Sequence, residues 1–108
     1  MAQAQDVQST AQTDTSLVAA PGAGKQVVVI GVYISTDTAQ TVSFESGTAS
    51  LRWRQYCAAN GGGLVQAADK RHLFTCADNA ALTYTSSAAG NVFVSVQYEV
   101  RGTFDLSS

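Results

Sequence analysis

The side chains that could perform metal chemistry are few and scattered along this sequence. His72, Cys57 and Cys76 offer three potential ligands, and a catalytic zinc can be held by three protein side chains. Their spacing contains no close ligand pair, and both cysteines lie in apolar stretches. Cysteine in such a context is usually a packing residue. We therefore predict no metal site, with His72 as a solvated loop residue.

Acid–base and nucleophilic chemistry also lacks a recognisable constellation. Carboxylates for glycoside hydrolysis would have to come from single acids such as Glu45, Asp69, Asp78 and Glu99. Serines are plentiful, but no Gly-x-Ser-x-Gly turn presents one as a nucleophile. We predict no catalytic residues and no enzymatic activity. An enzyme acting on cell-wall polymers, the alternative, needs an acid pair or a metal.

Two glycine motifs resemble phosphate-binding loops but lack essential parts. The run at 28–31 (VVIG) continues into another apolar segment, so no helix follows to receive a pyrophosphate. Gly24 and Lys25 are followed by Gln26, where a P-loop needs Ser or Thr to reach the metal. The sequence therefore predicts no cofactor.

One stretch carries residue types that are enriched in protein interfaces. Arg52, Arg54 and Tyr56 alternate with Trp53, so they share the opposite face of a predicted strand. Either Trp53 enters the core and the arginines are solvated, or the three side chains contact a neighbouring subunit. Phe93 is a fourth interface candidate, because it falls on the polar face of the last strand.

Composition excludes several classes of partner. The formal net charge is −2, which argues against nucleic acid, and no apolar run approaches the length of a membrane-spanning helix. Residues 1–16 lack the pattern of a signal peptide, so we expect a soluble protein made without export. Charged residues make up 13% of the chain, about half the usual fraction, which favours packing against other proteins.

From Leu17 onward the chain alternates short apolar runs with turn residues, the pattern of a compact all-β domain. No helical pattern separates the runs, so we predict an antiparallel β-sandwich, jelly-roll-like, or a related small barrel. Residues 60–63 (NGGG) form the clearest break between strands. We expect about six to eight short strands. The apolar or alternating segments lie at 17–20, 26–35, 41–45, 51–57, 64–65, 73–76, 82–85 and 92–100.

The first residues differ from the rest. Residues 1–16 carry one sizeable apolar side chain besides Met1, namely Val7. We therefore predict a polar N-terminal arm at 1–16, either disordered or ordered on a partner, and a single domain at 17–108. Cys57 and Cys76 allow one disulfide or two buried thiols, and the absence of a signal favours thiols.

The order of segments resembles a family of small virion surface proteins of tailed bacteriophages. The likeness covers residues 17–100 and rests on these strings: LVAA at 17–20, GK at 24–25, TVSFESGT at 41–48, AANGGG at 58–63, LFT at 73–75, NAAL at 79–82 and VQYEV at 96–100. The bulky segment 52–57 and the charged, proline-free segment 64–71 depart from the family pattern. Members are jelly-roll or related β-sandwich domains, commonly trimeric.

The resemblance implies a capsid decoration, or cement, protein on the outer surface of the phage head. Its partners would be the major capsid protein and further copies of itself in a homotrimer. The arm would hold the shell by adding a strand to a capsid edge, with Val7, Leu17 and Val18 as capsid-contact candidates. The alternative is a tail or head fibre domain that binds a host receptor through its loops, particularly 60–72.

Overall fold

The structure is a computed structural model that describes residues 2–47, 50–66 and 72–102. In these ranges the chain contains strands and turns without a helix, and the predicted β-sandwich is confirmed. The strands are β1 (Ala2–Gln8), β2 (Thr15–Val18), β3 (Lys25–Thr36), β4 (Gln40–Ser46), β5 (Ser50–Cys57), β6 (Gly61–Gln66), β7 (Phe74–Thr75), β8 (Leu82–Ser86) and β9 (Val92–Gly102).

The strands pair as a nested antiparallel hairpin. The first pairs with the last (β1 with β9), β2 pairs with β8, β3 pairs with β6 and β7, and β4 pairs with β5. The first sheet has the order β1-β9-β3-β6, with β7 also on β3, and the second has the order β2-β8-β4-β5. A hairpin wrapped in this way into two facing sheets is a jelly roll.

The register and packing of the long strand β3 explain why its sequence is apolar at nearly every position. Its register against β9 shifts between Val29 and Gly31. A bulge of this kind reverses which residues face inward, so Val27 and Val29 join the core before it and Val32 and Ile34 join after it. Val28 and Ile30 are buried as well, outside the shared core cluster.

The core lies between the two sheets. It combines the inward residues of both sheets: Val18, Val27, Val29, Val32, Ile34, Val42, Phe44, Cys57, Phe74, Cys76, Leu82, Tyr84, Val92, Val94 and Val96. Cys57 and Cys76 are both buried and unbonded, so the preference for thiols is confirmed. Burial raises the pKa of each thiol. These cysteines act as small apolar packing groups.

Strand β5 alternates as predicted over most of its length. Trp53 packs against the core and stacks on Phe74, with ring centroids 6.0 Å apart, while Arg52 and Arg54 are exposed. Leu51, two residues before Trp53, is exposed, although strict alternation would place it on the same inward face as Trp53. The cause is a register shift between β4 and β5 at Phe44, beyond which the alternation is no longer continuous.

The glycine-rich segment, predicted as a break between strands, forms the start of β6. Gly61 and Gly63 pair with Thr36 and Ile34 of β3. The turn lies earlier, where Asn60 has a φ of 54° and the amide of Gly61 donates to the carbonyl of Ala58 at 3.0 Å. A side chain at Gly61 would approach that carbonyl oxygen to 2.9 Å, so glycine is needed there for the close approach.

The N-terminal segment differs from the expected arm. Ala2–Gln8 adds its strand to β9 of its own domain over seven register pairs, and Thr15–Val18 pairs with β8 in the other sheet. The expected division into a 1–16 arm and a 17–108 domain therefore does not describe residues 2–16.

No helix among the described residues is long and apolar enough to cross a membrane.

Candidate functional site

The outward side of the first sheet forms one candidate surface, which we call the first-sheet surface. It is built by residues that face away from the core on β1, β9 and β3. The register sets them in rows across the three strands: Val7–Phe93–Ser35, Gln5–Ser95–Tyr33 and Gln3–Gln97–Gly31. Each of the first two rows thus places apolar or aromatic groups beside uncharged polar ones.

An aromatic pair lies at the centre of the first-sheet surface. The rings of Tyr33 and Phe93 meet edge to face, with centroids 5.8 Å apart and planes at 66°. Tyr33 is 42% exposed, whereas Phe93 is half-buried. Beside them, the Gln3 side-chain amide donates a hydrogen bond of 2.8 Å to the Ser95 hydroxyl. This bond fixes the carboxamide of an edge strand next to the two rings.

A partly buried hydrogen bond holds β1 in place and so positions this surface. The hydroxyl of Tyr84, a fully buried residue of β8, donates to Oδ2 of Asp6 at 2.6 Å. Burial raises the pKa of the Tyr84 hydroxyl, and the neighbouring Asp6 carboxylate raises it further. The bond joins the two sheets across the sandwich. It keeps Asp6 facing inward, which leaves Val7 facing outward.

The outward side of the second sheet forms the other candidate surface, the second-sheet surface. Strand β5 contributes Arg52, Arg54 and Tyr56, all exposed, with Tyr56 at 77%. Arg54 Nε donates to the Ser43 hydroxyl on β4 at 3.2 Å, which aligns the guanidinium along the sheet. Thr41, Ser43, Arg54 and Tyr56 line part of a shallow hollow of about 290 Å³.

A carboxyl pair also belongs to the second sheet. Glu45 of β4 is 8% exposed, and its Oε2 accepts a hydrogen bond of 2.8 Å from Thr85. Burial raises the pKa of Glu45, and the nearby Asp14 carboxyl raises it further, against the opposing effect of the Thr85 bond. The Asp14 amide in turn donates to the Thr85 hydroxyl at 3.1 Å. This cluster secures the turn between β1 and β2 to the second sheet.

The structure separates the four predicted interface residues. Arg52, Arg54 and Tyr56 lie together on the second-sheet surface, as their alternation indicated. Phe93 faces away from Val92 and Val94 as predicted, but it belongs to the first-sheet surface on the opposite side of the sandwich. The four residues therefore do not form one patch.

The three predicted capsid-contact residues also differ from one another. Val7 is 63% exposed and sits opposite Phe93 in the register, so it joins the first-sheet surface. Val18 is 8% exposed and belongs to the core, and Leu17 packs against that core. Neither Leu17 nor Val18 has a freely exposed side chain, because both pack against the core between the two sheets.

The residues considered for chemistry are dispersed. His72 is exposed while Cys57 and Cys76 are in the core, and the described residues contain no group of three His, Cys, Asp or Glu side chains arranged to hold a metal. Glu99 forms an ion pair with Arg101 at 2.5 Å. Asp69 lies outside the described residues, as do the other residues at 67–71 of the segment 60–72 that was predicted to bind a receptor.

Sequence reasoning missed Asp14, Asp6, Gln3 and Tyr33. The first three lie in a segment with no apolar stripe, so nothing in the pattern placed them in the sandwich. Tyr33 did carry a signal, since it is an aromatic residue between two inward positions of β3. Compared with models of known protein families the chain matches none, and a search of curated proteins likewise finds no match.

Proposed function

We propose that this chain is a structural virion protein, a capsid decoration or cement protein on the outer surface of a tailed-bacteriophage head. In this proposal it stabilises contacts between neighbouring major capsid subunits, as a homotrimer near a local three-fold position, after assembly in the host cytoplasm. The observation that carries the proposal is the exposed row of Arg52, Arg54 and Tyr56 on β5.

This row has the chemistry of a protein contact. Arginine and tyrosine are enriched among residues that dominate binding energies, because each combines a large contact area with directional hydrogen bonds. Tyr56 is 77% exposed, so its ring and its hydroxyl are both available to a partner. The two guanidinium groups favour a partner with acidic or carbonyl-rich surface.

The fold supports the proposal without deciding it. Jelly rolls occur in viral capsid proteins and in lectins, and one fold can serve unrelated functions. The resemblance of residues 17–100 to phage virion surface proteins favours the capsid. An interior closed by apolar packing and two solvent-facing sheet surfaces suits a protein that works by contact.

Binding linkage is the mechanism by which such a protein strengthens a shell. A molecule that binds the assembled shell but not its separated subunits stabilises the shell by about 2.7 kcal/mol per site at a hundredfold excess over Kd. Repetition over many sites multiplies this effect. The contact at each site can therefore be modest, consistent with a small row of side chains.

A fibre domain that binds a host receptor is the second candidate. It is favoured by the first-sheet surface, where Tyr33, Phe93 and Val7 lie exposed or half-buried among uncharged polar groups. In a decoration protein this surface would face away from the shell. The two functions are compatible if the second-sheet surface holds the capsid.

The test is occupancy of phage heads that lack this protein. Purified wild-type protein should co-sediment with expanded heads and appear by cryo-electron microscopy as density over the whole shell. The variant R52S/R54S/Y56S should lose at least tenfold in occupancy, while Tyr33→Ala, on the opposite sheet, should retain it. Density confined to the tail, or full occupancy by the triple variant, contradicts the proposal.

A further inference from the structure

The first-sheet surface contains a groove that the proposed capsid contact does not use. Two hollows of about 180 and 310 Å³ share Phe93 as a lining residue. Gln3, Gly31 and Tyr33 help to line the first, and Val7 and Asn91 help to line the second. The groove thus runs along the sheet with an aromatic ring at its middle.

Glycine accounts for the depth of the first hollow. Gly31 lies at the β3 bulge and is the register partner of Gln97 on β9, so it ends the row Gln3–Gln97–Gly31. Glycine contributes no side chain, so residue 31 itself does not fill the space beside the Tyr33 ring. Gly31 and Tyr33 line the same hollow.

The lining is uncharged over nearly its whole length. Its polar groups are the amides of Gln3, Gln97, Asn60 and Asn91 with the hydroxyls of serine and threonine. Asp37 is the one carboxylate among the described lining residues, and it accepts two hydrogen bonds of 2.8 Å from Asn91. A charged ligand would find no free counterion among these residues, whereas a neutral one avoids the cost of desolvating an ion.

We propose that this groove is a carbohydrate-binding site for a neutral, unbranched glycan chain. Sugar rings present C–H groups on their faces and hydroxyl groups around their edges. The faces can pack on Tyr33 and Phe93, and the hydroxyls can both donate to and accept from carboxamides. This proposal concerns a different surface from the capsid contact, and it names the class of ligand that the second candidate, a receptor-binding domain, would take on this surface.

The arrangement favours a glycan over a second copy of the chain. Contact between two copies of the chain would bury two such surfaces against each other. Each side-chain amide that lines the hollows would then need a hydrogen-bond partner on the other copy. The exposed apolar groups, Val7 and Tyr33, lie on either side of Phe93 in adjacent rows, and each of these rows also carries an uncharged polar group. Elongated shape, neutral lining and a central aromatic pair together match a linear polymer of sugars.

Titration with defined oligosaccharides tests this inference. The probes are maltohexaose, cellohexaose and chitohexaose, added to ¹⁵N-labelled protein up to about 10 mM while amide NMR shifts are recorded. We expect at least one probe to bind, with shifts confined to β1, β3 and β9. Tyr33→Ala should weaken binding at least tenfold, whereas Tyr33→Phe, which keeps the ring, should stay within about threefold of wild type.

Tyr56→Ala is the matched control, because it removes an exposed tyrosine from the second-sheet surface. It should leave glycan binding unchanged, and Tyr33→Ala should leave head occupancy unchanged, so the two proposals can fail separately. Three results overturn the glycan site: no shift with any probe, equal binding by Tyr33→Ala and wild type, or shifts centred on β4 and β5. Self-association that Tyr33→Ala abolishes, without glycan binding, would assign the surface to a second copy instead.

Discussion

The two outer faces of this sandwich differ in charge and in how they are supported. The first-sheet surface is neutral around its aromatic pair, and the nearby Glu99 and Arg101 pair with each other. The second sheet presents two exposed arginines and also contains the Glu45–Asp14 pair. The low overall charge is therefore unevenly distributed, and one face suits a neutral ligand while the other suits a polar protein.

The faces also depend on different parts of the N-terminal segment. Strand β1 supplies Gln3 and Val7 to the first-sheet surface and is attached by backbone pairing to β9 and the Asp6–Tyr84 bond. The turn after it is fixed to the second sheet. The backbone amide of Gln12 donates to the Ser86 hydroxyl, and the backbone amide of Asp14 donates to the Thr85 hydroxyl. Changes in one part should therefore affect one face more than the other.

Deletion of residues 2–8 is expected to have the largest effect. It removes the edge strand, leaves the backbone of β9 unpaired and takes away the acceptor for the Tyr84 hydroxyl. We expect a loss of about 3 kcal/mol in the free energy of unfolding, measured by urea denaturation. Gln5→Ala, an exposed substitution within β1, is the control and should change stability by less than about 0.5 kcal/mol. An unchanged urea midpoint for the deletion would show that β1 is dispensable, as an arm would be.

The position of β1 could not have been predicted from its composition. Its half-buried inward residues are Ala4, Asp6 and Gln8, a small residue and two polar ones, so period-two alternation of apolar residues is missing. Its position follows from the nested pairing of the whole chain, in which β1 pairs with the edge of β9 that β3 leaves open. That is long-range information, which a local pattern does not contain.

Strands with clean alternation were predictable, and bulged ones only in part. Alternation along 41–45 places Val42 and Phe44 on one face, and both are buried. Val92, Val94 and Val96 likewise line one face of β9. The bulge in β3 and the register shift opposite Leu51 reverse the alternation without any sequence signal. Alternation alone predicts the exposed row of Arg52, Arg54 and Tyr56. The groove could not be predicted in this way, because it depends on the pairing of β1 with β9.

Asp6→Ala is expected to have the next largest effect and to act on the first-sheet surface. It leaves the buried Tyr84 hydroxyl without its acceptor, which should cost about 2 kcal/mol in the free energy of unfolding. Tyr84→Phe removes the other partner, and the double variant closes a mutant cycle that isolates the coupling between them. A coupling energy near zero by urea denaturation would mean that this bond does not hold the sheets together.

Glu45→Gln tests the second-sheet surface and should have the smallest effect, with the opposite sign. A carboxyl whose pKa is raised on folding contributes stability that is fully present below its unfolded value of 4.5 and is lost as the pH rises through the folded value. The substituted carboxamide does not ionise, so the variant should lose this pH dependence and exceed the wild type by about 1 kcal/mol at about pH 8.

The control lies on the other sheet, where Glu99→Gln breaks a partly exposed ion pair and should shift stability by less than about 0.5 kcal/mol. Thermal unfolding of the three proteins from about pH 4 to about pH 8 separates the outcomes. If the stability of Glu45→Gln varies with pH in the same way as that of the wild type, ionisation of Glu45 does not destabilise the folded protein. The difference in charge between the two surfaces would then come from the exposed arginines, and the turn at residues 9–14 would be held to the second sheet by its hydrogen bonds to Thr85 and Ser86.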